Sequence, residues 1–181
     1  MDGGEGDDKI GGGNDADTLT GGDGEDSMEG GLGNDLFMGV EDDSDDERIT
    51  SSDRLDADTM RGGAGDDTFI LGSNDDAEGG EGADTFVTGN WTSPDDSPDV
   101  LDFDVTEDVF VVLVPEGTAT DNIVVVENIN VEEPVFTVYY NGYAVAFVHG
   151  AGFDASHVSV VETEMVEYNP PVFENLPDFG Q

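Results

Sequence analysis

Asp8, Asp17, Asp26, Asp35, Asp58, Asp67, Asp76 and Asp84 recur at intervals of nine residues, with one long break after Asp35 and one step shortened to eight before Asp84. They belong to a repeating text: GGEGDDKIG from Gly3, GGNDADTLT from Gly12, GGDGEDSME from Gly21, GGLGNDLFM from Gly30, GGAGDDTFI from Gly62 and GGEGADTFV from Gly79. Each copy follows G-G-x-G-x-D-x-U-x, where U is a large apolar residue and the aspartate is sixth. The chemistry such a pattern can do is ligation by oxygen. Glycine adopts positive φ cheaply and lets backbone carbonyls converge, and the aspartate adds a charged carboxylate. The chain has no cysteine, which excludes both a disulfide framework and a thiolate metal site.

The register resembles the nonapeptide repeat of RTX (repeats-in-toxin) proteins. That family's repeats bind calcium and wind into a parallel β-roll. The resemblance implies an all-β protein, a right-handed parallel β-roll followed by a small antiparallel β-rich cap. It further implies that two repeats make one coil, so that turns eighteen residues apart stack and an ion sits between them. Calcium takes six to eight oxygen ligands from carboxylates and carbonyls together. The implied ligands are the sixth-position Asp8, Asp17, Asp26, Asp35, Asp58, Asp67, Asp76 and Asp84. With them come the residues at positions two and four: Gly4, Gly6, Gly13, Asp15, Gly22, Gly24, Gly31, Gly33, Gly63, Gly65, Asn74, Gly80 and Gly82. One edge would stack Asp8, Asp26, Asp58 and Asp76, the other Asp17, Asp35, Asp67 and Asp84, giving about six Ca2+ ions between neighbours.

The elements that must hold these residues follow from the period. The last three positions of each repeat make a short strand whose middle side chain points inward. The inward set is Ile10, Leu19, Met28, Phe37, Met60, Phe69, Ala77 and Phe86. So thin a core does not offset the ordering entropy of the segment, which makes folding and metal binding one event. Position nine points outward; Thr20, Met38, Ile70 and Val87 then form an apolar stripe on one sheet, which a further segment of the chain is expected to cover. Two rungs are irregular. Gly39-Val40 and Asp56–Arg61 frame one repeat interrupted by an insertion near 41–54, and Leu71–Glu78 is one residue short.

Composition changes after the repeats. Of the 26 glycines, 21 lie in residues 1–89. From Val100 the text turns to runs rich in Val, Phe and Tyr, which is strand composition. Asn141-Gly142, between VFTVYY and YAVAFV, is the signature of a type I′ hairpin. The expected organisation is a roll over 1–87, a linker over 88–99, a β-rich cap over 100–168 and an extended tail over 169–181. Trp91 is expected to pack against the cap, and His149 and His157 to be structural.

With 45 acidic against 4 basic residues, the formal charge of −41 opposes binding to nucleic acid or to an anionic membrane. No run is long and apolar enough to span a bilayer as a helix. Met1 leads directly into repeats with no signal-peptide pattern, so the start reads as lying within a longer protein. Zinc-protease, nucleophile-elbow, P-loop and EF-hand patterns are not matched, and the chain is expected to be non-catalytic. The resemblance implies a bacterial protein exported by type I secretion machinery and folded by calcium outside the cell. The alternative is an adhesion or assembly module that binds a carbohydrate, a cell surface or further copies of itself.

Overall fold

A computed structural model describes residues 1–40, 56–89, 91–92, 95–115, 117, 122–128 and 134–163. The insertion expected near 41–54 and the tail expected over 169–181 lie outside these residues. Within them the chain is nearly all β. Strands β1 (Asp2–Glu5), β3 (Thr18–Asp23), β5 (Leu36–Met38), β7 (Thr68–Ile70), β9 (Thr85–Gly89), β11 (Val109–Pro115) and β15 (Val158–Thr163) form one sheet in that order. The second sheet runs β2 (Lys9–Gly13), β4 (Ser27–Leu32), β6 (Thr59–Ala64), β8 (Asp76–Glu81), β10 (Asp99–Val100), β14 (Tyr143–His149), β13 (Val135–Tyr140) and β12 (Ile123–Asn128). Consecutive strands of the repeats alternate between the sheets, and all their pairings are parallel. This is a parallel β-roll.

Register explains why the period matters. In the first sheet Leu19 pairs with Phe37, Phe37 with Phe69, Phe69 with Phe86 and Phe86 with Phe110. In the second, Ile10, Met28, Met60, Ala77 and Val100 stand in one column. Like side chains therefore stack coil upon coil between the sheets. Phe37 and Phe69 lie 4.7 Å apart and Phe69 and Phe86 5.0 Å apart, both stacked. The insertion leaves this order intact, because Met60 still sits in register with Met28.

The core does not stop where the repeats do. One hydrophobic cluster runs from Ile10 and Leu19 through Phe86 to Phe103, Phe110, Val148 and Phe153. Strands β10 and β11 add to the two sheets, and β14 and β15 extend them further in parallel. The antiparallel part of the cap is the β12–β13–β14 meander. Its β13–β14 turn places Asn141 at φ 52° and Gly142 at φ 84°, the positive values that the Asn-Gly pair anticipates.

On the outer face of the first sheet, Ile70, Val87, Val111 and Leu113 form a second cluster with Val40, against which Trp91 packs. The Trp91 indole Nε1–H donates to the Leu71 carbonyl at 2.9 Å. Val40 and Trp91 are cover drawn from the same chain. Both histidines take part in local structure. His149 Nε2 lies 3.2 Å from Asp99 Oδ1, and His157 closes a capping box with Asp154.

Candidate metal centre

The sixth-position aspartates form two ladders along the edges of the roll. On the first, the backbone N–H of Asp8 donates to Asp26 Oδ1, that of Asp26 to Asp58 Oδ1 and that of Asp58 to Asp75 Oδ1, at 2.7, 3.0 and 3.1 Å. On the second, Asp17 donates to Asp35, Asp35 to Asp67, Asp67 to Asp84 and Asp84 to Asp108, at 2.7 to 2.9 Å. Each carboxylate thus spends one oxygen on the preceding coil. The other oxygen turns inward. In Asp26, Asp35 and Asp67 this Oδ2 is buried and has no hydrogen-bond partner.

Two features of the turn force glycine here. A Cβ at Gly62 would run into Asp67 Oδ2 and the Gly79 carbonyl, and the same collision with the repeat's own aspartate recurs at Gly21, Gly30 and Gly79. Position two needs the left-handed region, as at Gly63 with φ 108°. The ten other glycines assigned to positions two and four (Gly4, Gly6, Gly13, Gly22, Gly24, Gly31, Gly33, Gly65, Gly80 and Gly82) share that positive φ.

The short repeat requires a correction. Asp76 is not the sixth-position residue of its rung; Asp75 is. Asp76 pairs with Thr59, and its N–H donates to the Asp58 carbonyl just as that of Thr59 donates to Asp26, so it opens strand β8 at position seven. Asp75 Oδ1 accepts from Asp58 and its Oδ2 from the Gly72 N–H at 2.6 Å. The residue missing from this rung is lost from the turn before the aspartate, because strand register holds everything after it in place. Asn74 keeps a turn role, with φ 62°. Asp15 lies exposed in the second turn.

Burial pushes several of these carboxyls up. Asp67 is raised to about 6 and Asp84 to about 7, first by desolvation and then by the neighbouring carboxylates of the ladder. Asp26 is raised for the same reason, and fully buried Asp75 well above the ordinary range. Buried carboxylates stacked one above another, without a cationic side chain beside them, are what a bound cation relieves. Among the described residues no three Asp, Glu or His side chains converge on one point. A site here takes one carboxylate from each of two turns, and backbone carbonyls supply the remaining donors. That set is all oxygen, which fits calcium.

Two further aspartates belong to this geometry. Asp108 accepts from Asp84 and continues the second ladder into the cap, while Val109 N–H donates to the Asp84 carbonyl. Asp108-Val109-Phe110-Val111 is the D-x-U-x half of the repeat without its glycines, a signal readable in the sequence. Asp102 accepts from the Gly79 and Gly80 N–H groups at 2.8 and 3.0 Å. On the first edge the sequence position equivalent to Asp75 is Pro98, and the ladder ends.

Comparison with known proteins agrees with this architecture at the level of the repeats. Residues 2–37 and 54–78 match the family of RTX calcium-binding nonapeptide repeats, in four copies. No curated protein matches the chain. Among solved structures, it is similar to the AlgE6R3 subunit of the Azotobacter vinelandii mannuronan C5-epimerase, at 21% identity over 86% of this chain and 79% of that one, with a TM-score of 0.42. It is also similar to the extracellular lipase LipA of Serratia marcescens, at 16% identity over 88% of this chain and 39% of that one, with a TM-score of 0.30. The roll, with its two aspartate ladders, is built of RTX calcium-binding nonapeptide repeats.

Proposed function

We propose that the chain is a non-catalytic module, secreted by a bacterium, whose roll over residues 1–87 folds as it takes up calcium and whose residues from 100 onward close the end of that roll. The observation that carries this reading is the row of buried, unpartnered Oδ2 atoms of Asp26, Asp35 and Asp67. The ladders run Asp8, Asp26, Asp58, Asp75 and Asp17, Asp35, Asp67, Asp84, Asp108. Ions between successive turns would give about six, with the Asp84–Asp108 step as one more candidate. The carbonyls of the second- and fourth-position residues complete each site. Calcium bound there would neutralise stacked carboxylates and tie neighbouring coils together.

The affinity suits an extracellular module, on the order of 0.1–1 mM. At low cytosolic calcium the repeats then stay extended and exportable, and calcium outside the cell traps the folded form. Far-ultraviolet circular dichroism of the whole chain tests this. The spectrum is expected to change from coil to β over that range of calcium, and magnesium is expected to substitute poorly because it demands a tight octahedron and dehydrates reluctantly. A spectrum that is the same in chelator and in excess calcium would overturn the proposal.

A further inference from the structure

The large apolar side chains left in solvent are not scattered evenly. Among the described residues Val124 is 56% exposed, Val126 44% and Tyr143 64%, and all three belong to the meander. Strand β12 is the outermost strand of the second sheet among those described, paired only with β13. Its register with β13 is unbroken from Ile123–Tyr140 to Asn128–Val135, so its other side presents a straight row of backbone donors and acceptors. The devices that normally blunt an edge are proline, lysine and bulges. The strand, Ile-Val-Val-Val-Glu-Asn, contains neither proline nor lysine. The surroundings are also uncharged: in a chain with 45 acidic residues, residues 134–153 hold no Asp, Glu, Lys or Arg.

We propose that β12 is the edge through which two copies of this chain pair, antiparallel about a two-fold axis normal to the sheet. Two molecules of formal charge −41 repel wherever their rolls meet. At the meander they can approach without bringing carboxylates together. Cross-strand neighbours in an antiparallel pair point to the same face. A two-fold centred on Val125 obeys that rule and sets Val124 of one copy opposite Val126 of the other, while Glu127 faces Ile123 and not its own equivalent. The pairing joins the exposed valines into one apolar strip on the outer face and continues the core-facing row of Ile123 and Val125 on the inner one. An edge of six residues buries less than the roughly 1,200 Å² of a standard interface, so the dimer is weak, on the order of micromolar.

Sedimentation of the whole chain in excess calcium, across a concentration series, reads the outcome. The mass is expected to rise from 19.1 kDa towards twice that value. The double variant V124E/V126E places like charges opposite each other and is expected to remain at 19.1 kDa with an unchanged calcium-induced spectrum. Because the chain has no cysteine, register can be read covalently. V125C is expected to form a disulfide-linked dimer on oxidation, since the axis sets this position against itself, and V124C to do so far less. If V124E/V126E does not fold, the V125C and V124C pair decides. Wild-type chain that stays monomeric throughout, a dimer that survives V124E/V126E, or equal cross-linking of V124C and V125C would each overturn the proposal.

Discussion

At the scale of single residues, the two neighbouring aspartates Asp75 and Asp76 separate a ligand from a bystander. Asp75 is buried and bonded to Asp58 and Gly72, whereas Asp76 opens a strand. Asp75→Asn is expected to weaken calcium binding at least tenfold, about 1.4 kcal/mol, while Asp76→Asn leaves the calcium midpoint nearly unchanged. The same contrast applies between Asp35→Asn or Asp67→Asn, inside the second ladder, and Asp43→Asn or Asp45→Asn, in the insertion. Equal losses in either comparison, read by calcium titration, would show that the ions are not held by the ladders. Protons should compete with calcium for these groups. Asp67 at about 6 and Asp84 at about 7 stand above the ordinary 3.8, so the calcium-free folded roll holds more protons than the unfolded chain between those values. Their contribution to the calcium-free fold is therefore fully present below pH 3.8 and lost as pH rises through about 6 to 7. Acidification from neutral pH is expected to raise the melting temperature in chelator and to weaken apparent calcium affinity. Proton release on adding calcium, larger near pH 6.5 than near pH 8 (values chosen about the shifted carboxyls), checks the linkage.

At the scale of the turn and strand, glycines differ by position. Gly62→Ala drives a Cβ into Asp67 and the next turn, and is expected to cost about 1–3 kcal/mol. Gly11, on the outer face, has open space around its missing Cβ, so Gly11→Ala is expected to change stability by less than about 0.5 kcal/mol. Thermal melts in calcium distinguish the two. This is also the scale at which the sequence was most legible. The nine-residue period marks the inward column from Leu19 to Phe86 and the turn glycines, because stacking reuses one local geometry. The Asn141-Gly142 hairpin was legible for the same reason: its turn chemistry is local. The short rung was not, since a missing residue can be placed anywhere in Leu71–Asp76 until the pairing of Asp76 with Thr59 is seen. Asp108 escaped because its half-repeat lacks glycines. The parallel pairing of Val100 with Val148 joins residues far apart in sequence, which no local pattern encodes.

At the scale of the whole molecule, the roll leans on the β-rich segment beyond residue 100. Phe86 meets Phe110 in register and Phe103 at 6.0 Å, and Asp102 and Asp108 take up backbone donors of the last turns. A chain ended after residue 99 exposes β8 and β9 as bare edges and removes those acceptors. It is expected not to gain β structure at a calcium concentration that folds the intact chain. Repeat arrays in general need such terminal caps. A truncated chain with the intact chain's calcium midpoint would show that the roll closes by itself.

The direction of the ladders has a kinetic meaning. Each aspartate carboxylate receives the N–H of the coil before it, so every rung is a template for its N-terminal neighbour and none for its C-terminal one. The aromatic column obeys the same polarity, thinning from Phe86, Phe69 and Phe37 to Leu19. Winding should then begin at Asp108 and advance toward Met1 like a zipper with its stop at one end. At intermediate calcium such a molecule is a population of partly closed zippers, whose free ends fray first at Ile10 and Asp8.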